Sequence, residues 1–315
     1  MGLDIDRVIS NGIVTIAVSN DGAELTSLRK DDTGRQYLWQ ADPKYWKRHS
    51  PVLFPIVGSV WDGEYRSKGQ KGILQPGELW SEKTFKLGQH GFARDMVFQL
   101  IDDEPDAEGN PQLLYVLRSN EETLKKYPYR FRLEIGYRLI GRTVEVIWRV
   151  MNPSRDEDLK FQIGAHPAFN CPLKEGEKQT DYKIDFFTDA KEVICGVLGS
   201  GGCLTEKQMV YPLVDGKLSV TETLFDLDAL IVEGKMTDKL ALVRPDGTAY
   251  VTMTFDAPLF GIWSPTGKNA PFICLEPWYG RSDRESFHGS LNEREYGTNL
   301  NPGESFDASY TMIFS

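Results

Sequence analysis

Three polar clusters carry the residues best suited to proton transfer, and each is flanked by glycine, proline or aromatic residues. They are QHGFARD with His90 and Arg94, GAHPAFN with His166, and CLEPWYGRSD with Glu276. Histidine and glutamate serve widely as general acids and bases, because their surroundings can shift their pKa values toward neutrality. The clusters lie far apart in the chain, so only folding can bring them together, as strand ends and loops of a β-sandwich do.

Glu276 lies within the apolar and aromatic run PFICLEPWYG, which predicts a partly desolvated carboxylate. Desolvation raises the pKa of a carboxyl group and makes it a useful general base. The second interpretation is a buried structural salt bridge with one of the arginines. The local sequence is compatible with both.

His166 directly precedes Pro167, which favours a rigid and extended backbone at the histidine. Such a backbone can direct a side chain at a ligand, and it can equally hold a histidine that ties two loops together. The same two interpretations, catalytic and structural, apply to His90.

Several large side chains near the clusters are candidates for ligand binding. Trp263 and Trp278 are either core residues or flat surfaces that stack on the C–H face of a pyranose. Arginines of this kind are commonly solvated surface charges, although those inside the clusters could bind ligand oxygens. The arginines concerned are Arg48, Arg94, Arg281 and Arg284.

The sequence predicts neither a metal site nor a cofactor. It contains no H-x-H, no H-E-x-x-H and no cysteine pair at zinc spacing. The glycine-rich LGSGGC lacks the strand and helix that would make it a phosphate-binding loop, and no G-x-S-x-G supports a serine nucleophile.

Alternating apolar and polar residues predict that strands position these clusters. RFRLEIGYRLI and TVEVIWRVM are joined by a short turn and predict an antiparallel hairpin, and ALVRPDGTAYVTMTF predicts a second one. NGIVTIAVS, QLLYVLRS, YKIDFF and ESFDASYTMIF predict further strands of five to nine residues, and EETLKKY predicts a short helix. No linker or repeat divides the chain, so we expect one all-β domain over residues 1–315, a sandwich or large barrel-like assembly.

The composition favours a small neutral ligand. Hydrophobic residues make up 40% of the chain and charged residues 26%, and the net charge of −10 argues against nucleic acid or an anionic membrane as partner. The sequence shows no signal peptide or long apolar segment, and its four cysteines form no paired framework. We therefore expect a cytoplasmic protein with reduced thiols, either a monomer or a homodimer.

Taken in order, several motifs resemble the galactose mutarotase-like, or aldose 1-epimerase, family, and most of all its LacX branch. The motifs are VLFPIVG at 52–58, QHGFARD, GAHPAFN, FDLDALI, CLEPWYG and LNPGESF at 300–306. The resemblance implies a large antiparallel β-supersandwich with few short helices. It also implies interconversion of the α and β anomers of a free hexose such as galactose or glucose.

The resemblance also implies roles for individual residues. Glu276 and His166 match the family's catalytic glutamate and histidine, and His90 matches its second active-site histidine. The substrate-binding aspartate falls on Asp228, although Asp226 would share its face in an extended strand. The implied mechanism uses Glu276 as base on the anomeric hydroxyl and a protonated His166 as acid to the ring oxygen, with Glu276 ionised.

One departure from the family concerns Ser59, which follows Gly58 where relatives often have an arginine that contacts sugar hydroxyls. Either Arg48 or Arg94 replaces that arginine, or the substrate range differs. The family also includes hexose-6-phosphate mutarotases, in which an arginine near the H-G-F-A-R segment helps to hold phosphate. Arg94 is compatible with that function, whereas Ser59 argues against it. A non-catalytic carbohydrate-binding or sensing protein is compatible with the same motifs, and a metal-dependent enzyme is a more distant interpretation.

Overall fold

The protein is built almost entirely from β-strands. The structure is a computed structural model that describes residues 6–73 and 80–315, and 24 strands lie within these ranges. In chain order they are β1 (Arg7–Ser10), β2 (Val14–Val18), β3 (Leu25–Lys30), β4 (Val52–Leu53), β5 (Glu64–Ser67), β6 (Lys83–Lys86), β7 (Gln99–Asp102), β8 (Gln112–Arg118), β9 (Arg132–Ile140), β10 (Thr143–Met151), β11 (Leu159–Phe161), β12 (Ile163–Ala165), β13 (Ala168–Asn170), β14 (Lys183–Asp185), β15 (Glu192–Leu198), β16 (Leu204–Pro212), β17 (Lys217–Ser219), β18 (Leu230–Val232), β19 (Lys239–Val243), β20 (Ala249–Phe255), β21 (Leu259–Trp263), β22 (Phe272–Tyr279), β23 (Thr298–Leu300) and β24 (Ser305–Phe314).

Helical structure is short, as the sequence predicts. The α-helix α1 (Glu121–Lys126) forms at the predicted EETLKKY, and the Asn120 side chain caps it by accepting hydrogen bonds from two backbone N–H groups. Single 3₁₀ turns occupy Trp61–Gly63, Lys71–Ile73, Ala93–Asp95, Gln179–Asp181, Ser200–Gly202 and Leu291–Glu293. None of the helices in the described ranges has the length and apolar character needed to cross a bilayer.

Two large antiparallel sheets form the body of the protein. Over the described residues, one has nine strands in the order β17-β14-β19-β20-β24-β10-β9-β8-β7, and the other runs β16-β15-β18-β21-β22-β12-β4 with β13 also paired to β22. Both contribute buried apolar side chains to one large cluster, in which Trp148 of β10 contacts Tyr279 of β22. The expected all-β supersandwich is confirmed, whereas a single domain over residues 1–315 stays a prediction.

The hairpins predicted from turn chemistry are present, with small departures elsewhere. β9 pairs with β10 and β19 with β20, each in antiparallel register. YKIDFF forms a strand of only three residues, β14, and the chain leaves the extended conformation at Phe187, where φ is +49°. The chain's last strand, β24, lies between β20 and β10 in the middle of its sheet, a position that local sequence could not indicate.

Candidate active site

The backbone of β22 holds the centre of the site. On one side it pairs first with β12, where Gly164 lies opposite Trp278, and then with β13, where Ala168 lies opposite Cys274. The same register carried across the interruption at Pro167 places His166 opposite Glu276. Residues directly opposite in an antiparallel pair project from the same face of a sheet, so the proline interrupts the strand without moving the histidine off that face.

His166 and Glu276 meet in a buried position. Nδ1 of His166 lies 3.4 Å from Oε1 of Glu276, and the two residues are 7% and 1% exposed. Within residues 6–73 and 80–315, His166 Nδ1 and both oxygens of Glu276 make no hydrogen bond. No arginine pairs with Glu276 in this part of the chain, so the interpretation of Glu276 as an arginine salt bridge is wrong.

Aromatic rings enclose the imidazole of His166. Trp46 stacks on it with ring centroids 4.8 Å apart, and Trp263 meets it edge to face at 5.3 Å. These rings exclude water from most of the pair and leave a flat aromatic surface beside it. Such a surface suits the C–H face of a sugar ring.

Trp278 takes its position because two neighbouring strands carry glycine. A Cβ at Gly261 of β21 or Gly164 of β12 would overlap the indole ring of Trp278. The missing side chains let the ring lie across the sheet beside Glu276, where it forms part of the pocket wall.

His90 sits on a tight turn that fixes its tautomer. Its φ is +65°, its backbone N–H donates to the Gly58 carbonyl at 2.7 Å, and its Nδ1 accepts from the Gly58 N–H at 3.0 Å. An Nδ1 that accepts a hydrogen bond carries no proton, so the neutral ring carries its hydrogen on Nε2. The rings of His90 and His166 lie 5.6 Å apart.

Burial controls the charge of this cluster. It raises the pKa of Glu276 well above its ordinary value, and the charge of Asp228 acts in the same direction. Burial, reinforced by the positive charge of Arg94, lowers the pKa of His166 to about 3. The pKa of His90 falls well below its ordinary value for the same reasons and because His166 is close.

Both shifts favour the uncharged forms of the pair. The expected protonated His166 beside an ionised Glu276 stays a prediction, because a carboxylate favours a neighbouring imidazolium. Burial acts against it by disfavouring both charges. The pair still contains one acid and one base.

Arg94 is the arginine that reaches the pocket. Its side chain lines the cavity and donates to the Gln89 carbonyl at 2.7 Å, while its buried Nε has no hydrogen-bond partner among the described residues. Arg48 instead binds Asp95 at 2.6 Å and the Arg94 carbonyl at 3.3 Å. Of the two replacements considered for the missing arginine, the geometry therefore favours Arg94.

Ser59 does not line the pocket, but its neighbours do. Its backbone N–H donates to Oγ of Ser282 at 3.0 Å, and Gly58 and Ser282 both face the cavity. Arg281 and Arg284 also lie outside the cavity, because Arg281 pairs with Glu233 and Glu295 and Arg284 pairs with Glu295.

Only one of the two candidate aspartates lines the cavity. Asp228 lines the cavity with a φ of +72° and lies in a bend before β18, so the extended conformation considered for Asp226 and Asp228 does not form. Asp226 faces a different depression of the surface.

The cavity brings seven of the predicted residues together and adds others. Its volume of about 180 Å³ holds roughly 12 to 18 water-sized groups at about 10–15 Å³ each, which leaves room for a hexose. The predicted candidates outside it are Arg48, Ser59, Asp226, Arg281 and Arg284. Polar and aromatic residues that sequence reasoning missed are Trp46, Gln89 and Ser282. Gln89 stands inside the QHGFARD motif and could have been found there.

Two residues of the site and a neighbouring cysteine have the atoms of a metal-binding group. Ligand atoms of His166, Cys274 and Glu276 lie within 4.8 Å of one another, and all three residues are buried. The sequence did not indicate this grouping, because the histidine comes from a distant segment.

Comparison with known proteins agrees with the fold and the site motifs. The aldose 1-epimerase family model matches residues 7–312. The plasmid-encoded protein LacX of Lactococcus lactis subsp. lactis is 32% identical over 309 residues, which cover 96% of this chain and 97% of LacX. The chain therefore belongs to the aldose 1-epimerase family, and the predicted likeness to LacX is confirmed.

Solved structures show the same fold. A galactose mutarotase related enzyme from Lactobacillus acidophilus superposes with a TM-score of 0.86 at 33% identity, covering 99% of this chain and 97% of that one. A galactose mutarotase-like protein from Lactobacillus casei gives a TM-score of 0.85 at 27% identity, covering 98% and 100%. Membership of this family supports a mutarotase-type function.

Proposed function

We propose that the protein interconverts the α and β anomers of a free hexose, such as galactose or glucose, by opening and reclosing the sugar ring. The observation that carries this proposal is the buried His166–Glu276 pair, whose facing atoms are 3.4 Å apart and otherwise unpartnered in the described chain. Ring opening needs one group to take the proton of the anomeric hydroxyl and another to give a proton to the ring oxygen. A pair holding one proton between its members can do both.

Sugar binding favours the ionised form of the pair, in which Glu276 is a carboxylate and His166 is an imidazolium. Hydroxyl groups that donate to Glu276 stabilise its carboxylate and so favour transfer of its proton to His166. Glu276 then takes the proton of the anomeric hydroxyl while His166 protonates the ring oxygen. The bond between C1 and the ring oxygen breaks, and a carbonyl forms at C1.

Reclosure runs the same steps in the opposite direction. After rotation about the C1–C2 bond the aldehyde presents its other face, the ring hydroxyl returns a proton to His166, and Glu276 gives one to the new anomeric oxygen. The pair recovers its starting protonation, so no cofactor is consumed.

Other pocket residues hold the sugar while its ring is open. His90 keeps its Nδ1 on the Gly58 N–H, so its Nε2–H is available to donate to the ring oxygen or a neighbouring hydroxyl. Asp228 and Arg94 supply an acceptor and a donor for the remaining hydroxyls, which limits diffusion of the open chain.

The test is anomeric exchange of glucose and galactose, followed by NMR saturation transfer or polarimetry. We expect the wild-type protein to exceed buffer-catalysed exchange on at least one of them. Glu276→Gln and His166→Asn should each lose about 10²- to 10⁴-fold in rate, because each removes one proton-transfer group. The double variant should lose much less than the product of the two, since the residues act as a unit.

A sugar-binding measurement on the same variants separates an enzyme from a non-catalytic carbohydrate-binding protein. A binding protein would bind glucose or galactose, show no exchange above buffer, and respond to Glu276→Gln only in its affinity. If the wild type accelerates exchange of neither free hexose and of no hexose phosphate, the proposal of an enzyme is refuted.

The second candidate is a hexose-6-phosphate mutarotase, and the guanidinium of Arg94 favours it. This group lines the cavity and its Nε is unpartnered among the described residues, so it could bind a phosphate oxygen. The Ser59 position argues the other way, since it provides no second cation.

Exchange rates of glucose and glucose 6-phosphate distinguish the two substrates. For a phosphosugar enzyme, kcat/KM favours glucose 6-phosphate, and Arg94→Gln lowers that preference by roughly 10- to 100-fold, as expected for a lost charge-assisted hydrogen bond. Arg48→Gln is the matched control, because Arg48 is engaged with Asp95 outside the cavity. For a free-hexose enzyme, Arg94→Gln affects glucose and glucose 6-phosphate alike.

A further inference from the structure

We propose that Cys274, His166 and Glu276 form a Zn²⁺ site that overlaps the acid–base pair. Cys274 and Glu276 are two residues apart on β22 and therefore project from the same face, and His166 stands opposite Glu276 across the interrupted pairing with β12 and β13. One sulfur, one nitrogen and one carboxylate oxygen lie within 4.8 Å of one another.

The ligand atoms of this site are free to bind an ion. His166 Nδ1 and both oxygens of Glu276 are buried without a hydrogen-bond partner in the described chain, although buried polar atoms are normally paired. Both residues line the cavity, which gives a small ion a route to them, and the Cys274 sulfur lies within 4.8 Å of their ligand atoms.

The chemistry of the three ligands selects a borderline-soft cation. Zn²⁺ binds thiolate, imidazole and carboxylate, and a site with three protein ligands leaves its fourth position to water or substrate. Mg²⁺ and Ca²⁺ prefer oxygen ligands alone and should not bind here. Binding releases two protons, one from the thiol of Cys274 and one from the carboxyl of Glu276.

Charge balance makes such a complex acceptable in a buried site. One thiolate and one carboxylate neutralise the two positive charges of the ion, and His166 binds as a neutral imidazole. Metal binding should therefore weaken as pH falls, because the ligands take up protons again.

Cys274 differs from the other three cysteines in its neighbouring ligand atoms. All four are buried and unpaired, but among the described residues only Cys274 belongs to a group with histidine and glutamate ligand atoms. Cys195, on β15 of the same sheet, provides a matched control of similar burial.

Zn²⁺ and sugar should exclude one another, because the metal occupies the two groups assigned to proton transfer. This inhibitory consequence rests on the proposed function, whereas metal binding itself does not. Zn²⁺ would then act as a competitive inhibitor of anomeric exchange and not as a cofactor.

Metal binding is tested with Co²⁺, which reports thiolate coordination through a near-ultraviolet charge-transfer band. We expect the band when CoCl₂ is added to the wild-type protein, and its loss when ZnCl₂ displaces the cobalt. Cys274→Ala should abolish the band and Cys195→Ala should keep it. Cys274→Ser is a second variant of closer shape, and circular dichroism checks that each variant is folded. Absence of the band in the wild type, or its persistence in both Cys274 variants, overturns the proposal.

Inhibition is tested by the exchange assay with ZnCl₂, using MgCl₂ as the hard-cation control. The inhibition constant for Zn²⁺ should rise at least about tenfold in Cys274→Ala, with exchange in the absence of metal close to that of the wild type. Equal inhibition of the wild type and Cys274→Ala contradicts the site. If the protein has no exchange activity, the Co²⁺ spectra still decide whether the metal site exists.

Discussion

At the scale of single residues, His166 and Glu276 are ionisable groups whose uncharged forms are favoured by burial. The carboxyl pKa is raised and the imidazole pKa is lowered, both chiefly by desolvation. In the proposed mechanism, a sugar that donates hydrogen bonds to the carboxylate favours the ionised form of the pair, so substrate binding would activate it.

The lowered pKa of His166 predicts a loss of stability in acid. The folded protein keeps this imidazole neutral down to a pKa of about 3, whereas the unfolded chain protonates it near its ordinary value of 6.5. Its contribution to stability is therefore present above pH 6.5 and is lost as pH falls toward 3, at up to about 1.4 kcal/mol per pH unit. His166→Asn should flatten this part of the pH profile measured by urea unfolding.

Glu276 and His288 provide the comparisons for this measurement. The raised pKa of Glu276 has the opposite sign, so its contribution is present below its ordinary value of 4.5 and declines as pH rises, and Glu276→Gln should flatten that side. His288→Asn, the same substitution at an exposed histidine, is the matched control variant. An unchanged acid slope in His166→Asn would contradict the assignment.

At the scale of elements, the site depends on one strand and its two neighbours. β22 provides Glu276 and Trp278, the interrupted pairing with β12 and β13 provides His166, and β21 provides Trp263. Glycine at the positions beside Trp278 is part of this arrangement, because the indole occupies the space that a side chain would take.

Gly261→Ala should therefore damage the site. Its Cβ would overlap the ring of Trp278, and overpacking of this kind typically costs about 1–3 kcal/mol of stability. Displacement of the indole should also lower the rate of anomeric exchange. Thermal unfolding and the exchange assay measure the two effects.

Gly136→Ala is the matched control in another strand. This glycine lies inside β9, and an added Cβ would meet Ile147 at an ordinary contact distance of 3.4 Å. We expect little change in stability or exchange. If the two substitutions have the same effect, the space occupied by Trp278 is not what requires glycine at position 261.

At the scale of the whole molecule, a buried ionic network joins distant segments behind the pocket. Arg294 donates to Asp283 at 2.6 Å and to the carbonyl groups of Ser59 and Arg281. Asp283 also accepts from the Trp61 N–H at 3.0 Å. The network fixes Ser282 beside Gly58, and so fixes one edge of the cavity, through residues far apart in the chain.

Arg294→Met should destabilise the whole protein. The arginine and aspartate side chains are 1% and 5% exposed, so removing the cation leaves an unpaired buried carboxylate at a cost of about 3–5 kcal/mol. Arg149→Met removes the arginine of a pair whose side chains are 50% and 54% exposed, and should cost at most about 1 kcal/mol. Urea unfolding compares the variants, and equal losses would contradict a structural role for the buried network.

Local sequence predicts the fold class, two hairpins and the short helix, and together with the family resemblance it predicts seven of the residues that line the pocket. Alternation with a period of two and turn residues such as Pro245 and Gly247 act over a few positions, so local sequence is enough to identify them. Ordered motifs placed Glu276, His166 and His90 in a known family and so anticipated that they would meet. Trp46 carries no such signal, because its place beside the pair depends on stacking against a histidine from a distant segment.

Which groups face the cavity, and which of them carry the proton, depends on the packing of the folded chain. The fold places Arg94 in the pocket and Arg48 on Asp95, and it separates Asp228 from Asp226. It also sets the direction in which the pKa values of the pair shift, because the pKa of a buried group depends on desolvation by strands that are far apart in sequence. Strand pairing, and not local pattern, creates that environment.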